Sequence, residues 1–264
     1  MSLINPVVDA VAGFVVLFGL FAVLESLFPE RRDQPRPPFR RGTVGDAMWW
    51  FADYAARAAG ALAVVVAIVV VARFVPHPVV PGIALQPAWL QFIEVLVISD
   101  LAGYWGHRAF HRVSLLWRFH AVHHSIEEVD WLSAGRVHPI DTIVQRPLEV
   151  LPVFLLGFSS THVLPLFAFF IGVYPIFLHA NVRWDYGPLR LVIASPAFHR
   201  WHHTAEAEGI DKNYAALFPW IDWLFGSLHF PRRATTEYGL GSGQHMRDGF
   251  FRQLLHPLRS AIRI

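Results

Sequence analysis

"VVDAVAGFVVLFGLFAVLESLF", residues 7–28, is an apolar run interrupted only by Asp9 and Glu25 near its ends. A helix of this length and composition can cross a bilayer. No basic leader or small-residue cleavage site accompanies it, so we expect a retained membrane helix rather than a signal peptide. Of the 264 residues, 54% are hydrophobic and 16% are charged, whereas soluble domains carry about 25% charged residues. The sequence therefore predicts a polytopic membrane protein.

Three further apolar regions follow this run. "AAGALAVVVAIVVVARFV" occupies residues 58–75, and "AWLQFIEVLVISDLAGYW" occupies residues 88–105 with Glu94 and Asp100 inside it. The region 147–180 is too long for one crossing, and we expect "SST" at 159–161 to divide it into a helical hairpin. The predicted fold class is all-α, with about four transmembrane helices.

Arginine distribution predicts the orientation of these helices. Residues 29–46 contain five arginines, whereas residues 76–87 contain no lysine or arginine. The positive-inside rule places the first loop in the cytoplasm and the second outside. With three single crossings and a hairpin at 147–180 that returns to the side from which it enters, we expect the N-terminus outside and the C-terminus inside. We also expect a cytoplasmic helical cap built from about 106–146 and 182–230.

Eight of the 15 histidines fall in three short motifs, "HRAFH", "HAVHH" and "HRWHH". They are His107, His111, His120, His123, His124, His199, His202 and His203. Helical residues four apart lie on one face about a turn apart, so the rings of each H-x-x-H-H project from one wedge. Eight imidazoles that converge at one place suit two metal ions. A single histidine at a membrane interface would be interpreted as structural, but three clusters at ligand spacing favour a metal site.

The available ligand atoms restrict the metal. The chain has no cysteine, which excludes disulfides, thiolate sites and iron–sulfur clusters. All-imidazole sites suit iron, zinc, copper or nickel. No H-E-x-x-H occurs, which disfavours a zinc protease. Haem ligation uses only one or two histidines, so a haem protein is disfavoured too.

Six segments occur in a family-specific order: "SDLAGYWGHRAFH", "LWRFHAVHHS", "RVHP", "HANVRW", "FHRWHH" and "NYAALFPWIDWLFGS". From about residue 95 to 230 the chain resembles the fatty acid hydroxylase / sterol desaturase superfamily of integral-membrane di-iron enzymes. The first 85 residues share only its hydrophobicity. The resemblance implies a non-haem di-iron centre that uses O2 to hydroxylate or desaturate a lipid, with the eight motif histidines as catalytic metal ligands. It also implies a further histidine ligand, for which we expect His179 in "FLHANVRW".

Three residues near the motifs have alternative interpretations. His138 is a ligand, a residue that hydrogen-bonds to the ligands, or a residue that packs beside Pro139. Asp100 either accepts a hydrogen bond from a ligating imidazole or caps the cytoplasmic end of the third span. Asn181 allows the same two interpretations. The remaining histidines are expected to be structural or surface residues: His77, His162, His229, His245 and His256.

Chemistry favours iron among the candidate metals. Oxidation of an unactivated C–H bond needs redox chemistry that zinc lacks, so we expect two iron ions with O2 as cosubstrate, and zinc as a substitute in overexpressed protein. The chain has no dinucleotide-binding glycine motif after a strand, and "HPID" is not a haem-binding signature. Electrons are therefore expected from a separate ferredoxin- or cytochrome-type protein. No nucleic-acid partner is expected.

These expectations divide the chain into three parts. Residues 1–90 form an N-terminal transmembrane region, 91–230 a catalytic domain and 231–264 a basic amphipathic tail, which is either an interfacial helix kinked at Pro257 or a solvated segment. The expected location is a bacterial inner membrane, with the active site on its cytoplasmic face. Fatty acyl chains, sterols, aminolipids and ether lipids all remain open as substrates, as does hydroxylation against desaturation. The alternative is a polyhistidine metal-binding or transport protein. A transporter should carry ionisable residues in the middle of its membrane helices, but the helix centres at 11–22 and 60–71 carry no charge, which disfavours it.

Overall fold

The protein is described by a computed structural model that covers residues 6–75, 80, 82–158, 163–241 and 244–259. Within these ranges the regular structure is entirely helical, which confirms the all-α class. The helices are α1 (Pro6–Leu27), α2 (Thr43–Ala72), α3 (Ala88–Arg112), α4 (Ser114–His124), α5 (Pro139–Leu156), α6 (Val163–His179), α7 (Pro196–His202), α8 (Pro219–Leu224), α9 (Phe250–Leu254) and α10 (His256–Arg259). Short 3₁₀ turns occupy Ile83–Leu85, Ser133–Gly135 and Gly187–Leu189.

Two helices are long and apolar enough to cross a membrane. Their apolar windows have mean hydropathies of 2.6 in Val7–Leu27 and 2.4 in Thr43–Ala72, and only 11% of each window is buried within the chain. An apolar helix whose side chains face outward needs an apolar solvent. The second helix begins at Thr43 rather than near residue 58, because "MWWFADYAAR" continues the helix with Trp49 and Asp53 turned towards the interior.

Helices α3, α5 and α6 contain the other predicted apolar regions. The predicted span at 88–105 continues as α3 to Arg112, so that it carries the first two motif histidines. Region 147–180 contains two helices, as expected, although the predicted break at 159–161 lies outside the described residues. Helix α5 already begins at Pro139 and ends at Leu156, and the C-cap residue Gly157 has a φ of 96° that suits glycine.

Close approach of α5 to α2 and α3 depends on small residues. A Cβ added at Gly60 would lie 3.3 Å from the Thr142 carbonyl oxygen. A Cβ at Gly106 would lie 2.6 Å from Gln145 Oε1 and 3.0 Å from a Leu148 methyl carbon. Small residues of this kind let helix backbones pack closely where water supplies no driving force. The three helices thus form the frame on which the histidines lie.

A buried charge cluster joins the N-terminal helices to the loop after α4. It consists of Arg40, Asp46, Asp130 and Arg136. The Arg40 guanidinium lies 2.6 Å from an Asp46 oxygen and 2.5 Å from an Asp130 oxygen, and Arg136 lies 2.7 Å from the other Asp46 oxygen. Two cations and two anions balance within the cluster, which lets them be buried together.

The C-terminal tail packs on α2. Its helical segment is broken at Leu255, next to Pro257, so that α9 and α10 are separate. The Trp49 indole N–H donates to Gln253 Oε1 at 2.9 Å, and the Phe250 ring packs edge-on against Trp49 with centroids 4.7 Å apart. These contacts fix the helical part of the tail against α2. Residues 260–264 of the predicted amphipathic segment lie outside the described residues.

Candidate metal centre

The first two histidine motifs face each other across a sharp corner. Helix α3 ends at Arg112 and α4 starts at Ser114, and the single intervening residue, Val113, has extended φ and ψ of −96° and 115°. This corner folds α4 back over the last turn of α3. Ring centroids lie 4.9 Å apart for His107 and His120, and 4.6 Å apart for His111 and His124.

The third motif lies on the short helix α7. Pro196 occupies its first turn, and the Ser195 hydroxyl accepts the Phe198 N–H at 3.2 Å, an N-cap that fixes where the helix begins. His202 thereby reaches His107 with ring centroids 4.4 Å apart. His203, at the C-cap, lies 4.6 Å from the His123 ring.

His179 joins these residues from the end of α6. Its Nε2 lies 3.2 Å from Nε2 of His123 and 3.2 Å from Nε2 of His199. The structure therefore brings the eight motif histidines and His179 into one cluster.

The nine histidines divide into two groups. Within each group, the ligand atoms all lie within 4.8 Å of one another. The five-histidine group contains His107, His111, His120, His124 and His202. The four-histidine group contains His123, His179, His199 and His203. The two groups touch where the rings of His124 and His203 stack with centroids 4.7 Å apart. The arrangement is two adjacent nitrogen cages rather than one.

Backbone carbonyls set the tautomers of four rings. Nδ1–H of His107 donates to the Tyr214 carbonyl at 2.8 Å, and Nδ1–H of His202 donates to the Lys212 carbonyl at 2.8 Å. Nδ1–H of His179 donates to the Pro175 carbonyl at 2.7 Å, and Nδ1–H of His123 donates to the Arg136 carbonyl at 3.1 Å. Because a carbonyl only accepts, the proton is on Nδ1 and the Nε2 lone pair faces the cage.

Two carboxylates support the five-histidine group from outside. Asp211 Oδ1 lies 3.1 Å from His111 Nδ1, and Asp141 Oδ2 lies 3.4 Å from His120 Nδ1. Sequence reasoning missed both residues. Asp141 lies two residues after the segment "RVHP", and this proximity could have indicated its role. Asp211 lies 100 positions from His111, and no sequence pattern connects the two.

Burial makes the rings of α4 and α7 poor bases. It lowers the pKa of His124, His202 and His203 well below the ordinary value, and the charges of neighbouring histidines lower it further. The imidazoles are therefore neutral near pH 7. A neutral imidazole is the form that binds a metal ion.

Unpaired nitrogens test whether the cluster fits a metal. In the two histidine groups, five buried ring nitrogens have no hydrogen-bond partner among the described residues: His111 Nε2, His124 Nε2, His202 Nε2, His199 Nδ1 and His203 Nδ1. Each buried polar atom without a partner costs about 1–3 kcal/mol. A cation within each cage would satisfy lone pairs that no donor reaches. An all-nitrogen donor set suits iron or zinc, so the residues fit the expected metals.

A cavity of about 210 Å³ adjoins both groups. Its histidine wall includes His107, His120, His123, His179 and His199. The other walls come from α2, α3, α5, α6 and the loop before α8, and include Phe110, Phe170, Ile176 and Leu217. Most of the cavity surface is apolar, although Arg57, Arg146 and Glu149 also line it, so a hydrocarbon segment can lie beside the two histidine groups.

The structure corrects the expectations for Asp100. Its carboxylate accepts hydrogen bonds from the backbone N–H groups of Ala216, Leu217 and Phe218 at 2.8–3.1 Å. It neither supports an imidazole nor caps the end of α3, which lies twelve residues further on. Both oxygens are occupied because the loop that leads into α8 turns over the middle of α3. Asp100 therefore positions that loop.

His138 and Asn181 also lie outside the two groups. His138 is the N-cap of α5, where its Nδ1 accepts the Ile140 N–H at 3.2 Å, and its Nε2 lies 3.2 Å from the Leu254 carbonyl. Asn181 exchanges two hydrogen bonds of 3.0 Å with the backbone of Arg31. Both side chains hold segments of the chain together.

Comparison with known sequences assigns the chain to a family, in agreement with its histidine-rich site. The profile described as fatty acid hydroxylase matches residues 92–227, about half of the chain, and the chain belongs to that family. This confirms the resemblance drawn from the motifs.

Three relatives illustrate the range of the family. The chain is 36% identical over 176 residues to an ornithine lipid hydroxylase, OlsE, of Rhizobium tropici, covering 65% of this chain and 51% of that one. It is 34% identical over 156 residues to an alkylglycerol monooxygenase of Danio rerio, covering 58% and 32%. It is 31% identical over 141 residues to a putative Delta(7)-sterol-C5(6)-desaturase 2 of Arabidopsis thaliana, covering 52% and 47%. The chain thus spans about a third to a half of the length of these relatives. No solved structure matches it.

Proposed function

We propose that this protein is a membrane-bound non-haem di-iron oxygenase that hydroxylates or desaturates a lipid. The observation that carries the proposal is the pair of buried nitrogen cages, of five and four histidines, beside one apolar cavity. The named activities of the relatives, a lipid hydroxylase, a monooxygenase and a desaturase, support an oxidative reaction on a lipid.

Each histidine group would hold one metal ion. His107, His111, His120, His124 and His202 would supply one ion with nitrogen ligands, and His123, His179, His199 and His203 the other. Two bound iron ions would supply the redox chemistry that couples reduction of O2 to removal of hydrogen from carbon. Zinc competes well for the same nitrogen ligands, so overexpressed protein would carry some zinc.

Both hydroxylation and desaturation need an external reductant. Hydroxylation converts C–H and O2 into C–OH and water with two electrons and two protons. Desaturation removes two hydrogens from adjacent carbons and converts O2 into two waters with the same two electrons and two protons. A separate one-electron carrier protein, of ferredoxin or cytochrome type, would deliver the electrons.

The chain's own residues prepare the site for this chemistry. The carbonyls of Tyr214, Lys212, Pro175 and Arg136 hold four imidazoles with Nε2 directed into the cages. Phe110, Phe170 and Leu217 line the cavity with apolar surface, which favours entry of a hydrocarbon segment and keeps bulk water from the reacting carbon. The narrow chamber also limits which carbon of a bound lipid comes near the cages.

The proposed topology makes the site accessible from both phases. Helices α1 and α2 cross the bilayer, α3 returns the chain, and α5 and α6 form a hairpin. The positive-inside rule then places the cap and its histidines on the cytoplasmic face, where a soluble electron donor can approach and a lipid can enter sideways.

Comparative lipidomics tests the function. The chain is expressed in a bacterial host together with a ferredoxin–reductase pair, and membrane lipids are compared with those of cells expressing His124→Ala. We expect a lipid class to gain one oxygen or lose two hydrogens only with the unsubstituted protein. His245→Ala is the matched control, because its side chain is 78% exposed and lies outside both groups. Equal lipid products from His124→Ala and the unsubstituted protein would refute the proposal.

A further inference from the structure

A second cavity, of about 160 Å³, lies on the opposite side of α7 from the histidines. Helix α7 directs His199, His202 and His203 towards the metal centre, while Ala197, Arg200 and Trp201 line this cavity. Its remaining walls come from the segment after α6 and from residues 230–235. We call it the arginine cavity, because five arginines line it: Arg183, Arg190, Arg200, Arg232 and Arg233.

Only one of these arginines has a carboxylate partner within the described part of the chain. Arg233 pairs with Glu206 and Glu208. Arg190 donates to the carbonyls of Phe230 and Pro231 at 2.6 and 3.1 Å, and its Nε is buried without a partner. Arg200 donates to backbone carbonyls and an amide oxygen of residues 180–182.

The other two arginines, Arg183 and Arg232, are exposed, and their side chains make no hydrogen bond or ion pair to the residues that the structure describes. The lining also includes Glu30 and Asp185, so cations outnumber carboxylates. Guanidinium groups gathered around one cavity repel one another unless an anion lies between them. A guanidinium matches the oxygens of a phosphate with paired hydrogen bonds.

The position of the cavity favours a membrane lipid as the source of that anion. Glu30 lies three residues after the end of α1, a candidate membrane span. The backbone N–H of Arg183 donates to the Phe28 carbonyl at 3.0 Å. The arginine cavity therefore lies at the end of α1, at the depth of the lipid headgroups.

Exposed apolar residues adjoin the arginines. Leu189, Leu191, Val192 and Ile193 surround Arg190 in sequence, and their side chains are between 40% and 55% exposed. Apolar side chains beside a cluster of arginines at a membrane surface match the two parts of a phospholipid, its acyl chains and its phosphate.

We propose that the arginine cavity binds the phosphate group of an anionic glycerophospholipid, whose acyl chains lie against Leu189, Leu191, Val192 and Ile193. Arg183, Arg190 and Arg232 contact the phosphate. The bound lipid is distinct from the substrate in the histidine-lined cavity and anchors the segment between α6 and α7 to the bilayer surface. Binding requires no metal and no turnover, so it can fail or succeed independently of the proposed oxidative function.

Native mass spectrometry of the detergent-solubilised full chain tests the proposal. Phosphatidylglycerol, phosphatidylcholine and inorganic phosphate are titrated separately. We expect phosphatidylglycerol to bind most tightly, because its phosphate charge has no choline to offset it and its chains reach the apolar residues. Arg190→Gln together with Arg232→Gln should weaken phosphatidylglycerol binding tenfold or more, since each lost charged contact typically costs about tenfold.

A second double variant controls for the loss of charge. Arg41→Gln with Arg247→Gln removes two exposed arginines outside the cavity and should leave the affinity within about twofold. Equal losses in the two double variants, unchanged affinity in the cavity variant, or inorganic phosphate binding as tightly as the lipid would each overturn the proposal. Should the cavity variant not fold, Arg183→Gln alone replaces it, because that exposed side chain makes no hydrogen bond or ion pair to the described residues. The same affinity comparison then decides.

Discussion

Asp46→Asn removes one anion from the buried charge cluster and is expected to destabilise the fold severely. The Asp46 carboxylate contacts Arg40 at 2.6 Å and Arg136 at 2.7 Å, and its side chain is 1% exposed. The amide has nearly the same shape but leaves Arg40 and Arg136 facing a single remaining carboxylate, Asp130. Breaking a buried ion pair on one side costs about 3–5 kcal/mol. At about 2–4 °C per kcal/mol for a chain of this size, the unfolding midpoint should fall by about 6–20 °C.

Tryptophan fluorescence during heating in detergent measures this shift, since the chain has ten tryptophans. Asp33→Asn is the matched control in the same linker, because the Asp33 side chain is 80% exposed and lies 3.9 Å from Arg31. An exposed pair contributes about 0–1 kcal/mol, so this midpoint should move by no more than about 4 °C. Equal midpoints for the two variants would show that the buried charge cluster does not stabilise the fold as argued.

Three further predictions follow from other parts of the structure. His138→Ala should keep its metal and lose about 1 kcal/mol of stability, because His138 caps α5 rather than lying in either group; metal loss in elemental analysis would instead make it a ligand. Leu85→Cys, introduced at an 89% exposed position in this cysteine-free chain, should react with an impermeant maleimide only from the extracytoplasmic side of the membrane, and labelling only from the cytoplasmic side would reverse the topology. The metal-free protein should lose stability as the pH falls below about 6.5. Burial lowers the pKa of His202 and His203 in the folded protein, so at such pH these residues bind protons in the unfolded chain but not in the folded one. A melting midpoint independent of pH between 5 and 8 would contradict this.

The sequence predicted the nine histidines that the structure brings together, but not the two carboxylates beside them, Asp141 and Asp211. Helical spacing predicted that the rings of each H-x-x-H-H share a face, and the resemblance supplied His179, which the structure brings to His123 and His199. Composition predicted two apolar spans that coincide with α1 and the second half of α2, although α2 begins fifteen residues before the apolar run at 58. Polar residues such as Asp53 are compatible with a helix when they face its packed side, which a hydropathy pattern does not show.

The division into two histidine groups could not be predicted from spacing. It depends on the extended Val113, which turns α4 back over α3, and on the position of α7 relative to both. Adjacent residues in one motif therefore fall in different groups, as His123 and His124 do. The role of Asp100 was mispredicted for a related reason, since its partners at Ala216–Phe218 are more than a hundred residues away.

Metal content measured alongside lipid oxidation tests the central claim most directly. We expect the purified protein to hold close to two metal ions per chain, with iron in the active form. His124→Ala in the five-histidine group and His203→Ala in the four-histidine group should each lower the metal content and abolish oxidation, because no neighbouring side chain can fill the vacancy. His245→Ala should match the unsubstituted protein. Haem iron in the purified protein, or full metal content and lipid oxidation in both group variants, would contradict the di-iron assignment.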